Sequence, residues 1–171
     1  MRAGTRFFIC VIFLLTASSF SFASSVSVFM CQKDGGTESL RAATVEIENG
    51  VLDTLFDRGY IVSSVAAAKS GADFDQAASK ALQNSAEGFF DFMVQITVRY
   101  TDAIPENPSK IVFSDIQSIE WRIVRIKNNA CIAEKMQTLE DKYEGETDLR
   151  AVKRVASELG SSIEKALRTA R

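Results

Sequence analysis

The chain has 171 residues, with 20 basic and 22 acidic side chains and no histidine, so its formal net charge at neutral pH is −2. A mildly acidic surface argues against broad binding of nucleic-acid phosphates. The absence of histidine removes the commonest general base and the commonest metal ligand, and it therefore disfavours most classes of enzyme.

The first 23 residues have the three regions of a secretory signal peptide. Arg2 and Arg6 precede an apolar run over residues 7–15, and small and polar residues follow up to Ala23. The run is too short to cross the roughly 30 Å hydrocarbon core of a bilayer as a helix. We therefore expect cleavage after Ala23 and export of residues 24–171 as a soluble protein, periplasmic or extracellular.

The predicted elements begin with a short strand over residues 25–31. Apolar residues then recur every three or four positions over residues 40–56, which predicts an amphipathic helix of about five turns. Gly59 follows, and glycine readily adopts the left-handed conformation just past a helix terminus. A strand over residues 60–65 and a helix over residues 73–86 come next.

The clearest strand covers residues 92–100. One face carries Val94, Ile96 and Val98, and the opposite face carries Met93, Gln95, Thr97 and Arg99. This alternation is typical of a half-buried, antiparallel strand. Residues 101–117 contain both prolines, which predicts an irregular loop.

The last third of the chain predicts a hairpin and a helix. In the strand over residues 119–127, the alternation shifts between Ile123 and Val124, which indicates either a bulge or a strand covered on both faces. Asn128-Asn129 predicts a hairpin turn, because asparagine tolerates positive φ. The partner strand over residues 130–136 and a helix after Thr147-Asp148 complete the elements.

The order of elements predicts the fold class. It is β-α-β-α-β-β-β-α, which indicates an α/β sandwich: one mixed sheet of about five strands with the helices packed on it. Residues 24–171 have the length of one ordinary domain with its own core. We therefore expect a single domain.

Two helix-to-strand steps resemble a known family. Residues 55–62 read Leu-Phe-Asp-Arg-Gly-Tyr-Ile-Val, and residues 85–94 run from a helix into an aspartate-aromatic-apolar strand. Together with the Asn128-Asn129 hairpin, they resemble a periplasmic α/β family. It includes the periplasmic domain of the curli secretion channel, the lipoprotein activators of penicillin-binding proteins and the amino-terminal domain of the Tol propeller protein.

The resemblance implies a non-enzymatic domain that binds proteins at the cell envelope. It does not extend to membrane anchoring or channel formation, because the lipid-acceptor cysteine of the channel and activator branches is missing. The segment Gly88-Phe89-Phe90-Asp91 also replaces the glycine-alanine-aspartate run that is usual at the second step.

Two cysteines remain after removal of the signal peptide. Cys31 closes the first strand and Cys131 opens the last, in a compartment that is expected to be oxidising. A disulfide would need the two strand ends to be neighbours, with the Cα atoms within about 7 Å. The alternative is two separate thiols, since a free cysteine packs as a small apolar residue.

Basic and aromatic side chains supply the candidate contact surface. Arg99, Arg122 and Arg125 lie on the predicted strands, where they would either form a basic patch or protect the sheet from aggregation. Trp121 and the Phe89-Phe90-Phe92 group are predicted core residues. An exposed aromatic among them would be a contact site, because aromatic residues dominate binding hot spots.

We find no catalytic motif, cofactor motif or metal-ligand cluster in the sequence. We therefore predict a non-enzymatic envelope accessory or assembly component that binds envelope proteins, with a homo-oligomer left open and no nucleic-acid partner. The alternative is a small secreted hydrolase or ligand-binding protein on a similar sheet. A deep pocket with convergent polar groups would favour that alternative, and a flat surface with an apolar patch would favour the binding domain.

Overall fold

A computed structural model describes residues 23–69, 71–102, 104–139 and 145–170, so all but the last residue of the predicted signal peptide lies outside the described part. The elements are β1 (Ser25–Lys33), α1 (Ala42–Asp57), β2 (Ile61–Ala68), α2 (Phe74–Glu87), β3 (Phe92–Tyr100), β4 (Ile116–Arg125), β5 (Ala130–Thr138) and α3 (Asp148–Thr169). The predicted order of strands and helices is confirmed. Within the described ranges, no helix is both long and apolar enough to cross a membrane.

The five strands form one mixed sheet in the order β2-β1-β3-β4-β5. β1 is parallel to both β2 and β3, whereas β3, β4 and β5 are successively antiparallel. The prediction that β3 is an antiparallel strand is therefore only half right. Each crossover through a helix returns the chain to the same end of the sheet, which makes β1, β2 and β3 parallel.

The strand order places the first two helices on opposite faces of the sheet. The first crossover takes the chain from β1 to β2 on one side of β1. The second crossover takes it from β2 to β3 on the other side of β1. Right-handed crossovers in opposite directions require helices on opposite faces. We call the face covered by α1 and α3 the first face, and the face partly covered by α2 the second face.

The first face carries the main core. Val94, Ile96 and Val98 of β3 are fully buried there, as predicted. The two helices contribute Ile47, Val51 and Leu55 from α1, and Leu159, Ile163 and Leu167 from α3. Full burial of a side chain of this size contributes about 1.5–3 kcal/mol, so this layer dominates the stability of the fold.

The second face is covered only in part. Ala78 and Ala81 of α2 pack with Phe29, Cys31 and Met93 of the sheet in a smaller core. Met93 and Thr97 are consequently buried, although their face was predicted to be the less buried one. Gln95 and Arg99 are only partly buried, because α2 does not extend over them.

The predicted hairpin is confirmed, but β4 ends at Arg125 rather than at residue 127, and a 3-10 turn over Ile126–Asn128 precedes Asn129. The β4–β5 register shifts between Ile123 and Val124, where the alternation changes phase. Asn129 has φ of 51°, which is the left-handed conformation expected of the turn residue. The predicted loop over residues 101–117 contains a short 3-10 turn at Phe113–Asp115, and β4 begins directly after it.

Candidate contact surfaces

The four residues of the predicted contact surface do not form one surface. Trp121 lies in the main core on the first face with only 6% of its surface exposed, as expected of a core residue. Arg125 stacks over the Phe92 ring at 5.9 Å and donates a hydrogen bond to the Ala170 carbonyl near the end of α3. Arg99 and Arg122 lie together on the second face.

A sheet groove of about 530 Å³ lies on the second face beyond α2. Its lining includes Cys31, Lys33, Phe74, Gln95, Thr97, Glu120, Arg122, Glu134 and Met136. The groove opens to solvent, since Arg122, Glu134 and Met136 on its wall are exposed. Met136 exposes 62% of its surface.

The two arginines of the second face, Arg99 and Arg122, both have partners within the chain. Arg99 Nε lies 3.1 Å from a carboxylate oxygen of Glu120. Arg122 donates from Nε and Nη2 to the side-chain oxygen of Gln95, at 3.0 and 2.7 Å. Because Glu120 sits between the two arginines on this face, the predicted basic patch is a mixed-charge surface instead.

The two cysteines are free and do not form a disulfide within the chain. β3 and β4 separate β1 from β5, and adjacent strands lie about 4.8 Å apart, so a bridge would have to span three strand spacings. Cys31 is buried and Cys131 is exposed. Burial raises the pKa of the Cys31 thiol to about 11, so it is protonated at neutral pH and is a poor nucleophile.

A buried ionic cluster occupies the carboxyl ends of β1 and β3. Arg41 is 3% exposed, is paired with both carboxylate oxygens of Asp34 and lies 2.6 Å from Asp115 through Nη1. Its guanidinium also stacks on the Tyr100 ring at 4.5 Å. The carboxyl end of a parallel sheet is a common ligand site, but here the protein's own arginine fills it.

The ionic cluster also fixes where α1 begins. The Gln32 side chain donates to the Ser39 carbonyl and accepts hydrogen bonds from the Arg41 backbone N–H and the Thr44 hydroxyl, all at 2.8–2.9 Å. The helix therefore starts at Ala42 rather than at the predicted residue 40. Sequence reasoning missed this cluster because Tyr100 and Asp115 are far from Arg41 in the chain. The local signal was Gln32, a polar residue directly after the apolar run from Val28 to Cys31.

Phe89 is the most exposed large apolar side chain of the described residues, with 90% of its surface accessible. It was predicted to be a core residue. Phe92 is indeed buried and Phe90 is half-buried, whereas Phe89 extends into solvent. Phe89 also has φ of 57°, a conformation that is a genuine outlier for a bulky residue.

The end of α1 provides an internal comparison for Phe89. Both helices end in the same pair of backbone hydrogen bonds. After α1, the Gly59 N–H donates to the Phe56 carbonyl and the Tyr60 N–H to the Leu55 carbonyl. After α2, the Phe89 N–H donates to the Ala86 carbonyl and the Phe90 N–H to the Ser85 carbonyl. At the left-handed position, α1 has Gly59 with φ of 83°, whereas α2 has Phe89.

Glycine stands one residue earlier at the end of α2. A Cβ on residue 88 would lie 2.8 Å from the Phe90 ring, so Gly88 makes room for that ring. The left-handed position after α2, which is strained for any residue with a side chain, is therefore occupied by the exposed Phe89.

Comparison with protein families gives one match that covers most of the chain. A family model described as an uncharacterised protein matches residues 25–168. The chain belongs to this family. A search of curated proteins finds no match.

Several solved structures are similar to this chain. The PelC dodecamer from Paraburkholderia phytofirmans has 14% identity, over 80% of this chain and 84% of that chain, with a TM-score of 0.48. TolB from Acinetobacter baumannii has 10% identity, over 86% of this chain and 29% of that chain, with a TM-score of 0.48. The carboxyl-terminal domain of LpoB from Salmonella enterica has 11% identity, over 76% of this chain and 92% of that chain, with a TM-score of 0.42. TolB and LpoB represent the Tol and activator groups that the sequence resembles.

Proposed function

We propose that this chain is an exported, non-enzymatic domain that binds other proteins at the cell envelope, as an accessory or assembly component. The observation that carries the proposal is Phe89, which exposes 90% of its surface in a left-handed backbone conformation. Exposing a phenylalanine and straining its backbone both cost free energy in the isolated domain. Such costs persist at sites where the side chain has a role, and an exposed aromatic ring is the commonest kind of anchor in a protein interface.

The chemistry of the sheet groove favours binding over catalysis. No histidine occurs in the sequence, and burial raises the pKa of the Cys31 thiol to about 11. Arg122 of the groove donates to Gln95, and the neighbouring Arg99 is paired with Glu120. The described lining of the groove therefore offers neither a histidine base nor an activated thiol, and among its carboxylates Glu120 is already paired with Arg99.

The proposal is tested by photocrosslinking in the native envelope. A photoreactive amino acid is placed at position 89 of the exported protein, and at Ile104 as a matched control, since Ile104 is an apolar side chain that is 81% exposed. We expect a discrete protein adduct from position 89 but not from position 104. We also expect Phe89→Gly to abolish copurification of the same protein while the domain stays folded. Equal adducts from both positions, or copurification unchanged by Phe89→Gly, would contradict the proposal.

The volume of the sheet groove supports a second candidate function, the binding of a small ligand. Its volume of about 530 Å³ lies within the range of roughly 300–1,000 Å³ that is usual for small-molecule sites. Gln95 and Thr97 would supply the polar contacts. A ligand that raises the melting temperature of the native protein, with the rise lost in Thr97→Trp, would support this candidate.

A further inference from the structure

The two edges of the sheet differ in how they are protected against pairing. β5 carries Glu134 and Lys135, both exposed, and has a bulge against β4, features that discourage another strand from adding to an edge. β2 also shifts register against β1, after Val65, but it lacks the charged side chains of β5. Its sequence, Ile-Val-Ser-Ser-Val-Ala-Ala-Ala, contains no charged residue and no proline.

The side chains of β2 leave its backbone accessible. Ser63, Ser64 and Ala66 are exposed and small, and Ile61 exposes 58% of its surface. β1 pairs with β2 on the inner side, so the outer row of backbone N–H and C=O groups faces away from the sheet. On the first face, the Glu48 side chain of α1 accepts a hydrogen bond from the Ser64 hydroxyl.

We propose that β2 is a dimerisation edge, at which a second copy of this chain pairs its own β2 in antiparallel orientation and extends the sheet from five to ten strands. The lack of charge on β2 indicates that its pairing partner is a second copy of the same strand. In a two-fold antiparallel pair, each strand meets itself, and like charges directly opposite one another destabilise the pair. An uncharged strand avoids this repulsion with its own copy and offers no opposite charge to select another partner.

The regular part of β2 also gives a register. Residues Ser25 to Phe29 pair in step with Ile61 to Val65, before the register shifts. A two-fold axis at Ser63 places Ile61 opposite Val65 of the partner subunit, and both side chains lie on the second face. The exposed Ile61 then gains an apolar neighbour, and the two Ser63 side chains face each other. In a continuous sheet, residues opposite each other on neighbouring strands point to the same face, and this register meets that requirement.

The test measures the mass of the exported protein by analytical ultracentrifugation over a concentration series. We expect a reversible dimer that Ser63→Lys weakens by about tenfold or more, because two ammonium groups meet at the axis. The matched control is Thr138→Lys, which places the same charge on an exposed position of the other edge strand. It should leave the dimer unchanged.

Disulfide crosslinking tests the register without disrupting the interface. In a Cys131→Ser background, mild oxidation should link Ser63→Cys subunits into covalent dimers but not Thr138→Cys subunits. If Ser63→Lys fails to fold, this crosslinking experiment still tests the proposed dimer.

The proposal is overturned by a protein that stays monomeric up to about 0.1 mM, by a dimer that Ser63→Lys does not weaken, or by crosslinking at position 138 alone. It is also overturned if β2 amides become protected from hydrogen exchange only when a different envelope protein is added. The inference is independent of Phe89, since Phe89→Gly should leave the dimer intact.

Discussion

Single residues set the two least expected features of this protein, a buried arginine and an exposed phenylalanine. Burying Arg41 is costly unless its charge and hydrogen bonds are satisfied, and Asp34, Asp115 and the Tyr100 ring provide that compensation. These partners raise the pKa of Arg41, chiefly through its hydrogen bond to Asp34. Phe89 has no comparable compensation, because its ring lies in solvent.

Replacing Phe89 with glycine is expected to stabilise the isolated domain. The left-handed conformation costs an ordinary L-residue about 1–2 kcal/mol, and the greater flexibility of glycine in the unfolded chain offsets part of that gain. We expect a net increase of about 1 kcal/mol in the free energy of unfolding, measured by urea denaturation. Gly59→Ala, at the equivalent position after α1, should be destabilising. A loss of stability in Phe89→Gly would show that the ring makes stabilising contacts in the domain itself.

The stability of the domain is expected to decrease at alkaline pH. Burial raises the pKa of Cys31 from 9.0 to about 11 and that of Tyr100 from 10.0 to about 12. The folded state therefore holds these protons more tightly than the unfolded state. Their contribution is present in full below the unfolded-state pKa values and is lost as pH rises through the folded-state values.

Urea denaturation across that pH range checks this expectation. The free energy of unfolding should fall as pH rises from 9.0 to about 11, and Cys31→Ala should reduce the slope. Cys131→Ser should leave the slope unchanged, because that thiol is exposed. A flat profile in the unmodified protein would contradict the predicted effect of burial on these two groups.

At the scale of elements, α1 and α3 pack closely through small residues. A Cβ on Gly50 of α1 would lie 2.6 Å from the Cβ of Ala156, and a Cβ on Gly160 of α3 would lie 2.7 Å from the Cβ of Thr54. Each helix therefore places a glycine against a side chain of the other. This close approach lets both helices reach the first face of the sheet.

Gly50→Ala is expected to destabilise the protein although alanine is the better helix former. The gain in helix propensity is about 1 kcal/mol, whereas the clash with Ala156 forces the two helices apart and disturbs the core beneath them. Thermal unfolding should show a lower melting temperature. The double variant with Ala156→Gly should recover most of the loss, because the clash is removed. Equal melting temperatures for the single variant and the original protein would show that α1 and α3 can separate at little cost.

At the scale of the whole molecule, the two ends of the parallel strands have different roles. The carboxyl end is closed by the ionic cluster of Arg41. The amino end carries Phe89 and the start of β1, where the Ser25 backbone N–H donates to Asp91 at 2.8 Å. β1 therefore begins at the end of the sheet that bears the proposed contact residue.

The exported protein is expected to begin at Ser24. Ala23 is exposed and precedes the first strand, which makes the bond after it accessible, whereas the Ser24 carbonyl accepts a hydrogen bond from Ile61 and belongs to the fold. Intact mass and amino-terminal sequencing of the exported protein check this expectation. Retention of residues 1–23, or an added diacylglycerol mass, would contradict it.

The sequence by itself determined the elements and their order, because both depend on local patterns. Apolar residues at helical or strand spacing predicted α1, β3 and α3, and Asn128-Asn129 predicted the turn. The phase change at Ile123 marked the position of the bulge but left a strand covered on both faces as an alternative. Each of these signals lies within a few residues of the feature that it predicts.

The tertiary structure decided which distant residues meet and which face of the sheet is covered. It made β3 a parallel neighbour of β1, separated Cys31 from Cys131, and brought Asp34 and Asp115 to Arg41. It also exposed Phe89 while burying Phe92, because the geometry of the helix end, rather than apolar character, sets the direction of each ring. These outcomes depend on strand order and on the handedness of the crossovers, which no local pattern contains.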